Sequence, residues 1–196
     1  MRKLLILALL VAPGAAVAQS TGTPVFAAPY RAFEKSEFAA SISDPGAGMA
    51  LEGSYKFGHK TWDIGFRAGF QDTDGGSTPI LLGADGRTRI ISHTESFPLD
   101  GALTLGVGAM LADGGNVMLI PAGISLGRRL DLEGSEVSFV PYFQPLFHAA
   151  FASGNSDFGF SVGLGVDAKV SKQLDLRLSG AIGDYEGVGF TVAFLH

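Results

Sequence analysis

The stretch SDFGFSVGLGVDAKV, residues 156–170, alternates almost without fault. Phe158, Phe160, Val162, Leu164, Val166, Ala168 and Val170 form one row. Asp157, Gly159, Ser161, Gly163, Gly165, Asp167 and Lys169 form the other. A period of two is that of a β-strand with two unlike faces. Which face meets water decides the fold.

The same period recurs along the chain. Trp62, Ile64, Phe66, Ala68 and Phe70 oppose Asp63, Gly65, Arg67, Gly69 and Gln71. Leu103, Leu105, Val107, Ala109 and Leu111 oppose Thr104, Gly106, Gly108 and Met110. Met49, Leu51, Tyr55 and Phe57 oppose Glu52, Ser54 and Lys56. Leu174, Leu176, Leu178 and Ile182 oppose Asp175, Arg177, Ser179 and Ala181. Val188, Phe190, Val192 and Phe194 oppose Gly189, Thr191, Ala193 and Leu195. Three segments read less cleanly. FAASIS, near Phe38 to Ser43, is short, and ILLGADGRTRII is ambiguous in phase, though Asp85, Arg87 and Arg89 share a face. VSFVPYFQPLFHAAF carries Pro141 and Pro145 in the row of Phe139, Phe143 and Phe147. Proline cannot donate to a ladder, so this strand is expected to be distorted or only partly paired.

Two sets of turns alternate between these segments. One is small and acidic: SDPGAG, QDTDGGS, ADGGN, SGNSD and GDYEG. The other is longer or more basic: FGHKT, SHTESFPLD, GRRLDLEGSE and VSKQLD. An antiparallel meander does this, because successive turns fall at opposite ends. The count is about ten strands, or eight if the first and fourth do not form.

The chain opens MRKLLILALLVAPGAAVAQS. A basic start, an apolar run, the breaker pair Pro13-Gly14 and the small motif Ala16-Val17-Ala18 read as a secretory signal peptide cleaved after Ala18. The expected division is signal peptide 1–18, an N-terminal periplasmic segment 19–35 and a barrel domain 36–196. No cysteine adjoins the cleavage point, which excludes a lipid-anchored precursor. Losing Arg2 and Lys3 leaves 12 basic against 19 acidic residues. Nucleic acid is excluded as a partner, since binding it needs a basic footprint. The absence of cysteine means that export does not serve disulfide formation.

Charged residues are 17% of the chain, against about 25% in ordinary soluble domains. Glycine supplies 28 of 196 residues, about twice its usual share. A soluble barrel would put the apolar row inside and clothe the other in Lys, Glu, Thr and Gln. Here the second row is Gly, Ala, Ser and Thr with charges of both signs. Glycine packs nothing, so a watered surface has little use for it. A membrane barrel explains both rows. The apolar one faces lipid, where a mid-bilayer charge costs about 2–4 kcal/mol. The small one lines a narrow interior. The expected fold is all-β: a closed, antiparallel, up-and-down transmembrane β-barrel. Glu52, Lys56, Asp63, Arg67, Asp85, Arg87, Arg89, His148, Asp167, Lys169, Asp175 and Arg177 are expected to face its lumen. At about ten strands the lumen is expected to be plugged or very narrow.

A signal peptide, Gly-rich alternating strands, no cysteine and an amphipathic last strand resemble the small outer-membrane β-barrel proteins of Gram-negative-type bacteria. The resemblance is one of pattern over the whole mature chain. It implies Sec export, residence in the outer membrane among its lipids and lipopolysaccharide, and periplasmic chaperones and the barrel-assembly machinery during biogenesis. It also implies a C-terminal assembly signal in Phe190, Val192 and Phe194. The last residue, His196, departs from the usual terminal Phe or Trp. Both termini would then lie on the periplasmic side and the acidic turns outside. Such short outer turns argue against adhesion.

Catalytic readings are weak. Asp157-Phe158-Gly159 matches a kinase tripeptide but lacks the glycine-rich loop, the lysine strand and H-R-D. Gly163-Leu164-Gly165 runs on into strand and not into a helix, so it fails as a dinucleotide turn. Asp72-Thr73-Asp74-Gly75-Gly76 lacks the sixth-position Gly and twelfth-position Glu of a calcium loop. His148, with Ser153 in the next turn, could serve a barrel enzyme acting on lipids or peptides at the outer rim; the plainer role is a hydrogen-bonded lumen histidine. The expected function is a structural or narrow-channel, porin-like role with no catalytic residue, cofactor or metal. The alternatives are the barrel enzyme and a soluble, lipocalin-like periplasmic barrel holding an apolar ligand.

Overall fold

The computed structural model describes residues 20–29, 35–73 and 76–196. The expected signal peptide lies outside the described residues. Eleven strands follow in order: β1 Glu37–Asp44, β2 Met49–His59, β3 Trp62–Asp72, β4 Ile80–Ile91, β5 Asp100–Ala112, β6 Gly115–Gly127, β7 Leu130–Asp131, β8 Ser138–Ala152, β9 Asn155–Lys169, β10 Leu174–Gly183 and β11 Gly187–Leu195. Each long strand pairs antiparallel with the next, β6 passes over the two-residue β7 to β8, and β1 pairs with β11. Ten strands therefore close on themselves. Closure satisfies every ladder without an edge, which a sheet in hydrocarbon requires.

The first and fourth segments are full members. β1 pairs along both flanks, with β2 and β11. β4 pairs with β3 and β5, and a register shift between Arg89 and Ile91 accounts for its ambiguous phase. This removes the eight-strand alternative.

The prolines act where expected. β8 pairs with β9 without a break from Ser138 to Ala152. Its pairing with β6 skips the positions between Gly123–Leu146 and Leu126–Phe143. The carbonyls of Pro141 and Pro145 approach Gly127 and Gly123 of β6. A residue's N–H and C=O point the same way across a strand, so the missing donors also fall on the β6 side. At the far end of β8, Ser153 and Gly154 both have positive φ, 47° and 84°. That is the two-residue turn whose twist suits a hairpin.

The apolar row faces outward. In the opening stretch Phe158 is 75% exposed and Leu164 46%, while Ser161 and Asp167 are fully enclosed. The same holds for Phe66, Leu105, Phe147, Leu178 and Val188, which stand outside, and for Glu52, Asp63, Arg87, Asp175 and Arg177, which lie within. The polarity is the reverse of a soluble barrel and overturns the lipocalin-like alternative.

Candidate functional site

The lumen is built from residues that the strand pleat turns inward. Their charges pair between adjacent strands and across an intervening one. Arg177 of β10 donates to Glu37 of β1 through both terminal nitrogens, at 2.7 and 2.5 Å. Its Nε lies 3.4 Å from Asp167 and its Nη2 3.5 Å from Asp175. Arg87 of β4 holds Asp63, directly opposite on β3, with its closest contact at 2.7 Å. Lys56 reaches Asp85 at 3.2 Å. Arg67 sits looser, 3.8 Å from both Glu52 and Asp85. Each charge thus has an opposite neighbour, the condition under which ions tolerate burial.

Inward glycines make these contacts possible. Gly65 stands between Lys56 and Asp85 in the ladder order. A Cβ there would lie 2.8 Å from Lys56 Cγ and 3.2 Å from Asp85 Oδ1. Gly69 leaves the same room beside Glu52, and Gly159 beside His148. Gly65→Val should therefore force Lys56 off Asp85 and cost about 1–3 kcal/mol, as overpacking does. The single tryptophan, Trp62 at the start of the same strand, provides a fluorescence readout in a denaturant titration. An unchanged midpoint would show that the lumen is roomier than this geometry.

The largest correction concerns the N-terminal segment. It was expected ahead of the barrel, on the periplasmic side. Residues 20–29, STGTPVFAAP, lie inside the lumen, and nearly all of them are buried. The Oγ1 of Thr23 donates to Glu52 at 2.5 Å. The N–H of Phe26 donates to Ser179 Oγ at 3.3 Å, and Ser179 Oγ donates to the Pro24 carbonyl at 2.7 Å. The N–H of Ala28 donates to Asp167 at 3.1 Å, Ser125 donates to the Ala27 carbonyl, and Arg87 donates to the Ala28 carbonyl. Phe26 lies against Gly163, Ser20 against Gly83 and Gly106, and Pro24 and Val25 against Gly189. Phe26 centres an apolar cluster with Ala28, Leu119, Val140, Tyr142, Leu146, Ala181 and Tyr185. Beside the segment lies a cavity of about 30 Å³ edged by Lys56, Asp85, Arg87, Thr104 and Gln144, room for about one or two waters.

The other expected lumen residues fall as follows. Arg89 and Lys169, at the two strand ends away from the acidic turns, are only partly enclosed. His148 is buried against the ring of Tyr185, with centroids 3.7 Å apart. Its Nδ1 finds no hydrogen-bond partner among the described residues. Tyr185 belongs to the β10–β11 turn but folds in, 2% exposed, over this end of the lumen. Burial, then the carboxylates of Asp184 and Asp157, push its hydroxyl well above the usual range, so it stays neutral. Asp74 and Gly75 of the calcium-like turn lie outside the described residues. On either side of them, the Gly76 N–H donates to the Thr73 carbonyl at 2.9 Å. Among the described residues no three His, Asp or Glu converge to hold a metal ion. At the C-terminus, Phe190, Val192 and Phe194 face outward. His196 stacks on Phe38 and Tyr55, with centroids 5.1 and 5.9 Å away. It adds a ring to the outer surface where Phe or Trp is usual.

Sequence reasoning missed Glu37, the principal partner of Arg177, and the lumen segment itself. No family model matches the sequence, and no curated protein does. Solved structures match in shape. The β domain of the Bordetella autotransporter Brka superposes with a TM-score of 0.52 at 14% identity, over 83% of this chain and 98% of that one. This is the fold of a bacterial outer-membrane β-barrel. A bacterial polysaccharide outer membrane secretin gives 0.48 at 15% identity over 76% of this chain, which spans 57% of the secretin chain. A de novo designed transmembrane β-barrel gives 0.38 at 10% identity, over 83% of this chain and 95% of the other. At such identities likeness speaks to the fold alone, and the lumen must be read from this barrel's own residues.

Proposed function

We propose that the chain is an integral outer-membrane β-barrel of structural or narrow-channel type, without catalysis, whose lumen is closed at rest by its own residues 20–29. The observation that carries this is the pairing of an apolar exterior with a charged, filled interior. The acidic turns lie at one end: Asp44, Asp72, Asp113, Asp157, Asp184 and Glu186 are all exposed there. The proposed orientation places this end outward, toward phosphorylated surface lipid and the divalent cations that bridge it. The opposite end, with Lys60, Arg128, Arg129 and Lys172, faces the periplasm. The outward row of β11 serves as the signal read by the assembly machinery.

The refolded chain should require detergent or lipid and should run at two apparent sizes on a gel, one before and one after boiling. Its conductance in a planar bilayer should stay close to the bare-membrane level. A chain that stays monodisperse in plain buffer would sink the membrane reading. A steady open conductance would sink the closed lumen.

A further inference from the structure

The segment that fills the lumen is held by unusual means. It carries no charged side chain, so no salt bridge fastens it. The chain has no cysteine, so no disulfide does. Its backbone joins no ladder. Its polar fastenings among the described residues are the side-chain and main-chain hydrogen bonds given above, and its apolar anchor is Phe26. The wall behind it keeps its own structure, because the ten-strand ladder and the Arg177–Glu37 and Arg87–Asp63 pairs do not pass through it. Much of the wall it touches is glycine and small polar residues, Gly83, Gly106, Gly163, Gly189, Ser125 and Ser179 among them, and the charged ones, Glu52, Arg87 and Asp167, keep or neighbour ion pairs on the wall itself. Withdrawal would join that space to the cavity beside Lys56, Asp85 and Gln144.

The charge of such a path is uneven. Inside, carboxylates and cations neutralise one another. At the acidic end six exposed carboxylates ring the mouth, and no Lys or Arg lies within that end among residues 40–52, 68–82, 108–120, 148–162 or 180–192. A mouth of one sign concentrates ions of the other.

We infer that residues 20–29 are a removable plug and that the barrel, once unplugged, is a channel for small cations, selected at its acidic mouth. This rests on the membrane-barrel reading. The test is ion conductance of the refolded mature chain in planar bilayers under a potassium chloride gradient. Three chains are compared. They are the natural one, one of equal length with residues 20–29 replaced by Gly-Ser repeats, and full-length Phe26→Ala. The replaced chain should conduct at least about tenfold above the natural one and prefer potassium over chloride at least about threefold at ~0.1 M salt. The preference should shrink toward unity at ~1 M, where the Debye length falls to about 3 Å. Adding Asp113→Asn, Asp157→Asn, Asp184→Asn and Glu186→Gln should abolish the preference while leaving the conductance open. A synthetic peptide of sequence STGTPVFAAP should close it again. If the replaced chain does not fold, Phe26→Ala decides, through openings at least about tenfold more frequent than in the natural chain. A folded, heat-modifiable replacement chain that conducts no more than the natural one overturns the plug. Equal or chloride-favouring permeability overturns the cation path. Either result leaves the membrane barrel standing, whereas solubility in plain buffer would remove that first.

Discussion

Leu164→Arg is expected to block stable insertion of the barrel. Leu164 lies mid-way along β9, opposite Phe143 of β8 and Gly180 of β10, and it faces outward. A guanidinium at bilayer depth on the lipid face costs about 2–4 kcal/mol, a large part of the ~5–15 kcal/mol that holds an average domain folded. The unboiled, fast-migrating form should be strongly depleted after refolding into vesicles. Gly163→Asp, one residue away, puts its charge on the other face. There a Cβ already comes within 2.8 Å of the Phe26 ring. That variant should disturb the plug and still insert. Normal assembly of Leu164→Arg would mean that the two faces have been exchanged.

Arg177→Met should be the most damaging single change inside the lumen. The guanidinium serves Glu37, Asp167 and Asp175 together, and all three carboxylates are buried. Removing the cation leaves them facing one another in a space with little water. Loss of one partner from a buried pair costs about 3–5 kcal/mol. The measurable result is a large fall in the denaturant midpoint of the refolded barrel, followed through Trp62. The double change Glu37→Leu, Arg177→Met should recover part of the loss, because the orphaned carboxylate goes with its partner. A single variant as stable as the natural chain would mean that water enters this end of the lumen freely.

The wall of the barrel was legible because lipid imposes a strict rule on alternate residues. Once one face must be apolar, the phase of Phe158, Leu164 or Phe190 follows without knowledge of any partner. The prolines of β8 were legible for the same local reason, the loss of an N–H. Glu37 was not. It opens the first strand, ahead of the short alternation from Phe38, and the residue that explains it, Arg177, lies 140 positions away. The plug was hidden more deeply. STGTPVFAAP has neither helical nor strand periodicity, and its contacts with Ser179 and Asp167 span more than 130 residues. Two signals did point to it. From Gln19 to Tyr30 the sequence has no charge at all, which is odd for a solvent-borne leader. The inward rows also hold more glycine than their own charged side chains need. Gly83, Gly106 and Gly163 make room for Ser20 and Phe26, and the space they leave is visible only once the sheet has closed.

The central claim is that the polarity of the barrel is inverted, with lipid outside and a filled lumen within. The cysteine-free chain allows single cysteines to be placed one at a time from Ser156 to Val170 and labelled with a small fluorophore. Refolding each into vesicles whose acyl chains carry bromine reports directly on lipid contact. Labels at 160, 162, 164 and 166 should be quenched. Those at 161, 163, 165 and 167 should be spared by acyl chains and also shielded from an aqueous quencher, because the plug covers 163 and 167, Tyr142 covers 165 and Tyr185 covers 161. Quenching by lipid at the second set, or free access of the aqueous quencher to it, would contradict the account.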